Sequence, residues 1–124
     1  MLSTQELMIG NYVRVDKKIC KVDEIFQSAV GLNGSDSLKY ELVLEPVALT
    51  KDILLKNGFK ETTGKFHKEF CLVLEDTVHL CCMDNEWKVI IDGNFFWLEW
   101  YGIKHVHQLQ NLCTIHGVKL DLNL

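Results

Sequence analysis

Cys113 and His116 stand three residues apart in the stretch Lys104 to Gly117, KHVHQLQNLCTIHG. On a helix that spacing puts both side chains on one face, and a cysteine–histidine dyad works by letting the imidazole take the thiol proton. A nucleophilic thiol also needs a lowered pKa and an accessible, electropositive setting. Cys113 falls near the C-terminal end of the stretch, where the helix dipole disfavours a thiolate. The pair therefore reads as a buried cysteine beside a helix-terminal histidine, and no catalytic residue is assigned.

A metal set is the next candidate. His79 and Cys81 share one face of an expected strand, and Cys71 lies on the strand before it. The paired short ligand spacings of structural zinc are missing. His105 and His107 are two apart, whereas helical zinc pairs need spacing such as i, i+4. No metal and no cofactor is expected. Glu75, Asp76, Asp84, Glu86, Asp92 and Glu99 fall mostly at turns, and nothing brings two of them together as an acid–base pair.

The residues with the most recognition chemistry are aromatic and amide. In Asn94 to Tyr101, NFFWLEWY, a strand would point Phe96, Leu98 and Trp100 one way and Phe95, Trp97, Glu99 and Tyr101 the other. One face must cover a core. The other, if exposed, marks a partner or a ligand: it stacks a base, or buries itself in a dimer. On the Lys104–Gly117 helix, Val106, Leu109, Leu112, Cys113 and His116 form an apolar stripe, and Gly117 offers a stop. Gln108, Gln110, Asn111 and Thr114 fall largely off that stripe. The expected ligand-binding set is therefore Trp97, Tyr101, His105, His107, Gln108 and Asn111.

These residues need elements to hold them. Ile9–Asp16, Ile19–Phe26, Ala29–Leu32 and Leu38–Leu44 read as four short strands, with turns at Asp16-Lys17-Lys18 and Asn33-Gly34-Ser35. In the fourth, Leu38, Tyr40, Leu42 and Leu44 alternate onto one face. This suggests an SH3-like β meander over residues 1–45. Pro46 ends it, and a short helix follows with Thr50 as N-cap, Leu49 and Leu54 as a hydrophobic staple, and Asn57-Gly58 as the stop. Phe66–Leu74, Thr77–Met83, Glu86–Asp92 and Phe95–Tyr101 read as an antiparallel sheet joined by hairpins, the first of them entered through the turn Thr62-Thr63-Gly64-Lys65. The Lys104–Gly117 helix is expected to cover this sheet, and Val118–Leu124 to add an edge strand. The class is α+β, with a boundary between 1–45 and 46–124.

The whole chain is balanced like a soluble globular domain. Of its 124 residues 48% are apolar and 24% charged, so there is material for one ordinary core. The net charge of −4 argues against nucleic acid as a partner, although Arg14, Lys17, Lys18, Lys21 and Lys39 make a local basic set in the meander. No apolar run suits a membrane span, and MLSTQELMIG lacks the basic start and apolar core of a secretory signal. The five cysteines, Cys20, Cys71, Cys81, Cys82 and Cys113, are odd in number and irregular in spacing. They read as reduced residues of a cytoplasmic protein.

Three segments carry a resemblance. The opening IGNYV, the central PVALTKDILLKNGF and the closing KHVHQLQNL resemble a group of small uncharacterised proteins of gut Bacteroidetes bacteria and of their phages and prophages. The order and spacing are similar along nearly the whole chain, while CTIHGVKL after Leu112 departs from that group's aromatic-rich segment. The resemblance transfers no catalytic residue. It implies a phage- or prophage-associated accessory protein that acts by binding: it blocks a host defence protein or sequesters a nucleotide-like signal. A homo-oligomer is expected. The alternatives are a nucleic-acid-binding module built on the meander, and a small enzyme.

Overall fold

The computed structural model describes the backbone of residues 2–34, 38–63, 68–75, 78–83, 86–91, 94–98, 103–115 and 117–124. Among these residues the elements in chain order are β1 (Tyr12–Val15), β2 (Lys18–Ile25), β3 (Ala29–Leu32), β4 (Leu38–Tyr40), β5 (Glu45–Pro46), α1 (Lys51–Lys56), β6 (Lys60–Thr63), β7 (Lys68–Glu75), β8 (Val78–Met83), β9 (Glu86–Ile91), β10 (Asn94–Leu98) and α2 (Val106–Ile115). The class is α+β, as expected. The chain divides into two compact units, Met1–Ala48 with Lys104–Gly117, and Leu49–Ile103 with Val118–Leu124. The expected division was 1–45 and 46–124. The helix that sequence assigned to the second sheet belongs to the first unit instead.

In the first unit the strands are antiparallel in the order β4-β3-β2-β1-β5. Asp16 and Lys17 both have positive φ, 50° and 67°, and Val15 faces Lys18 across the hairpin. Two positive φ values in a two-residue loop are the type I′ pattern, whose twist matches that of paired strands. Strand β1 alternates, with Val13 and Val15 buried and Tyr12 and Arg14 half-buried. All four residues of β3 are buried. Leu2, Leu7, Val13, Val15, Val22, Val30, Leu32 and Leu44 form the core.

The fourth strand is shorter than its sequence pattern. It stops at Tyr40, and Glu41–Val43 coil into a 3-10 turn. The cause is Glu41. Its carboxylate accepts from the Thr4 backbone N–H at 2.8 Å and the Thr4 hydroxyl at 2.9 Å, and its own N–H donates to Ser28 O at 3.1 Å. These bonds fix the chain where the ladder would otherwise continue. They also hold the Glu41 carboxyl below its ordinary pKa, the Thr4 N–H contributing most. Leu44 then turns inward and is fully buried, whereas Leu38, Tyr40 and Leu42 are exposed. The single face expected for these four residues is not formed.

The second unit is a meander in the order β10-β9-β8-β7-β6. Its side chains are described at 60, 61, 70–73 and 79–82. The expected turn at Thr62 to Lys65 lies partly outside the described residues. Helix α1 begins and ends as its sequence indicates. The Thr50 hydroxyl accepts from Ile53 N–H at 3.3 Å. At the other end Gly58 has φ 89°, its N–H donates to Leu55 O, and the Phe59 N–H donates to Leu54 O. This pair of bonds is the Schellman arrangement, which needs a left-handed residue and so favours glycine. The tail Val118–Leu124 is not a strand. Instead the Asn57 amide grips it, donating to Asn123 O at 2.9 Å and accepting from Asn123 N–H at 2.6 Å, and Val118 and Leu122 are buried.

Candidate functional site

The segment Ile9-Gly10-Asn11 is a tight turn. Asn11 N–H donates to Met8 O at 3.1 Å, and Gly10 has φ 97°. A β-turn with positive φ at its third position is where glycine is favoured, because a Cβ there strains the backbone. Asn11 is buried, and its side chain continues the turn by accepting from Met8 N–H at 2.8 Å. Its amide group then donates to Asn111 Oδ1 on α2 at 2.7 Å. Asn111 in turn donates to Glu6 O at 2.8 Å. The neighbouring Gln110 closes the pattern, accepting from Tyr12 N–H at 3.0 Å and donating to Gly10 O at 3.1 Å.

Two short sequence signatures far apart in the chain, IGN and QN of VHQLQNL, are thus two halves of one hydrogen-bond clamp. The clamp explains why α2 belongs with the first sheet. Val106 N–H also donates to Val47 O at 2.8 Å, and Ala48 bridges His105. Gln108 has a different local task. Its Oε1 accepts from Lys104 and His105 N–H at 2.9 and 3.0 Å, the position of a capping-box glutamine at the helix start.

The polar face expected to meet a ligand is therefore engaged inside the unit. Gln108 caps the helix, Gln110 and Asn111 hold the turn, and His107 is 1% exposed. His105 is half-buried and stacks on His107, with ring centroids 5.8 Å apart. Trp97 lies on β10 and Tyr101 beyond it; the Trp97 side chain and all of Tyr101 fall outside the described residues, as does His116. The apolar stripe of α2 is as expected: Val106, Leu109, Leu112 and Cys113 are all buried. Sequence reasoning missed that the amides beside this stripe would be needed by the backbone they cover. The signal was available, since a glycine turn leaves carbonyl and N–H groups that require partners.

His107 is the one buried titratable group of this cluster. Neither ring nitrogen has a hydrogen-bond partner, although Nε2 comes to 3.5 Å from Glu6 Oε1. Burial pushes its pKa below 6.5; the nearby Glu6 carboxylate opposes this, and the charge of His105 adds to it. An unfolded histidine binds a proton near pH 6.5, which folded His107 resists. The stability contributed by its neutral form is complete above that value and is lost as pH falls below it. Thermal melts are expected to show a declining Tm from pH 7.5 to pH 5, and His107→Phe should flatten the decline. An equal slope in both proteins would contradict this assignment.

Cys113 is buried, and burial pushes its thiol up to about 12, so it stays protonated at neutral pH. A thiol held protonated lacks the thiolate that nucleophilic attack requires. Among the described residues no group of three or more His, Cys, Asp or Glu is placed to hold a metal ion, and no helix is long and apolar enough to cross a membrane. Of the five basic residues considered for nucleic acid, Lys18 and Lys39 line a shallow groove of about 280 Å³ with Val15, Asp16, Cys20, Leu32 and Asn33. Lys21 sits over the Tyr12 ring instead, 5.9 Å from its centroid.

The remaining feature is apolar and exposed. Tyr40 is 62% exposed and Leu42 83%, and Leu38, Val43 and Phe26 are exposed as well. They are neighbours along the backbone fold. Tyr40 pairs with Ala29, Phe26 N–H donates to Ala29 O, and Glu41 N–H donates to Ser28 O, so the β2–β3 turn lies beside the end of β4. Strand β4 is also the last strand of its sheet. Comparison with family models, curated proteins and solved structures returns no match.

Proposed function

We propose that the protein acts by binding, without chemistry of its own, and that its partner is another protein docked on the edge formed by β4 and the Glu41–Val43 turn. One observation carries this reading: the exposed Phe26 and Tyr40 flank Ala29 across adjoining strands at the end of a sheet, Leu38 is exposed on the same last strand, and the exposed Leu42 and Val43 follow in the turn. Single exposed apolar residues are ordinary, but a contiguous group marks an interaction surface. An edge strand adds main-chain donors and acceptors that a partner strand can take up, while alternate side chains supply selectivity. The three-segment resemblance supports a phage or prophage accessory role, in which the partner is a host protein and a defence protein is the first candidate. Homo-oligomer formation through the same edge is the competing use of this surface.

The test compares wild type with Leu42→Asp in capture from bacterial host lysate, alongside light scattering of each purified protein. The substitution places a charge on an exposed position, so Tm should change little. The expected result is a specific protein captured by wild type and lost with Leu42→Asp. Equal capture by both would remove the edge from the function. A wild-type assembly that forms without lysate and dissociates in Leu42→Asp would assign the edge to self-association.

A further inference from the structure

The second unit carries a chemical feature that the binding reading does not use. In the ladder between β7 and β8, Cys71 stands directly opposite Cys81. Opposed residues in an antiparallel pair have Cα atoms roughly 4.5 or 5.5 Å apart, and both spacings fall inside the roughly 4.4–6.8 Å that disulfides span. Opposed side chains also share one face of the sheet, so the two Cβ atoms approach each other. The two sulfurs are 2.7 Å apart, nearer than separate thiols pack and approaching the roughly 2.05 Å of a disulfide bond. The other cysteines are placed differently. Cys82 opposes Phe70, on the other face of β8 from Cys81. Cys20 and Cys113 belong to the first unit, where Cys113 is buried and the Cys20 thiol points to Lys18 O at 3.8 Å.

We infer that Cys71 and Cys81 form a redox-responsive pair that closes to a cross-strand disulfide by exchange with a small external disulfide such as oxidised glutathione. Cys71 is partly exposed, while Cys81 is 2% exposed. The order of events follows from that difference. The Cys71 sulfur attacks one sulfur of the external disulfide, forming a mixed disulfide and releasing the first external thiol. The Cys81 sulfur then attacks the Cys71 sulfur and releases the second. One disulfide bond is broken and one formed, and the two protein thiol protons leave on the two external thiols. The protein pair is oxidised by two electrons, and the external disulfide is reduced by the same two. Juxtaposition in the ladder makes the second step intramolecular, which favours it over a persistent mixed disulfide. The bond would tie β7 to β8, the middle strand of the sheet. Transient, regulatory disulfides of this kind are the sort that reducing compartments permit.

The full chain, native and fully reduced, would be exposed to oxidised glutathione, quenched in acid and alkylated without reduction. Cleavage after Glu75 separates Cys71 from Cys81 and Cys82, so a bond between them survives only as cross-linked peptides. The expected result is loss of two of the five alkylatable thiols and one dominant cross-link. It should persist in Cys82→Ser, disappear in Cys71→Ser, and reverse with dithiothreitol. Retention of all five thiols, a cross-link lost in Cys82→Ser, or glutathione left on Cys71 would each overturn the inference. The Cys82→Ser and wild-type maps decide the matter even if Cys71→Ser folds poorly.

Discussion

Asn111→Ala should be among the most destabilising single substitutions in the helix. It removes an amide that accepts from Asn11 at 2.7 Å and donates to Glu6 O at 2.8 Å. Asn11 is buried, so its amide loses a partner without gaining water. An unsatisfied buried group costs about 1–3 kcal/mol, and the Glu6 carbonyl loses its donor as well. An expected total of about 3 kcal/mol corresponds to a fall in Tm on the order of 10 °C for a chain of this size. The two asparagines share one bond, so their effects should not add. A double-mutant cycle with Asn11→Ala should give a coupling of about 1 kcal/mol or more. Additive effects would mean that the clamp is not a cooperative unit. The same melts should show Thr114→Ala, at an exposed position on the same helix, within about 0.5 kcal/mol of wild type.

The second large effect separates two leucines that sequence placed together. Leu44 is 0% exposed and belongs to the core of the first unit, while Leu42 is 83% exposed. Leu44→Ala should cost about 2–5 kcal/mol, the range for emptying a packed core position. Leu42→Ala should cost less than about 0.5 kcal/mol. Denaturant midpoints for the two variants measure the contrast directly. Equal losses would mean that the Glu41–Val43 turn does not interrupt the strand. Alternation from Leu38 to Leu44 gave no warning of that turn, because the cause lies elsewhere in the chain. Glu41 is fixed by Thr4, a residue 37 positions away. One cue was local: Leu42-Val43-Leu44 is a run of three apolar residues, which a half-buried strand does not accommodate.

Where local chemistry decides structure, the sequence was a sufficient guide. Thr50 caps α1, Asn57-Gly58 ends it, the Asp16-Lys17 turn joins β1 to β2, and the apolar stripe of α2 is the buried one. The α+β class follows from these elements. What sequence could not supply was the assignment of polar groups to distant partners. Gln110 and Asn111 look like free recognition groups until the Gly10 turn is placed beside them. The tail Val118–Leu124 alternates as an edge strand would, yet the Asn57 amide binds Asn123 and the tail forms no ladder. The helix likewise shows no preference between two sheets until its side-chain hydrogen bonds are known. The proposed binding edge arises from the same competition. Ending β4 at Tyr40 is what leaves Tyr40 and Leu42 in solvent.

The most direct test of the binding edge is amide hydrogen exchange of residues 38–43, measured for the protein alone and in the complex that wild type forms with its captured partner. The account predicts slowed exchange at these amides in the complex, with the Gly10–Asn111 clamp unchanged. Exchange at 38–43 that is the same in both states, with protection elsewhere, would contradict it.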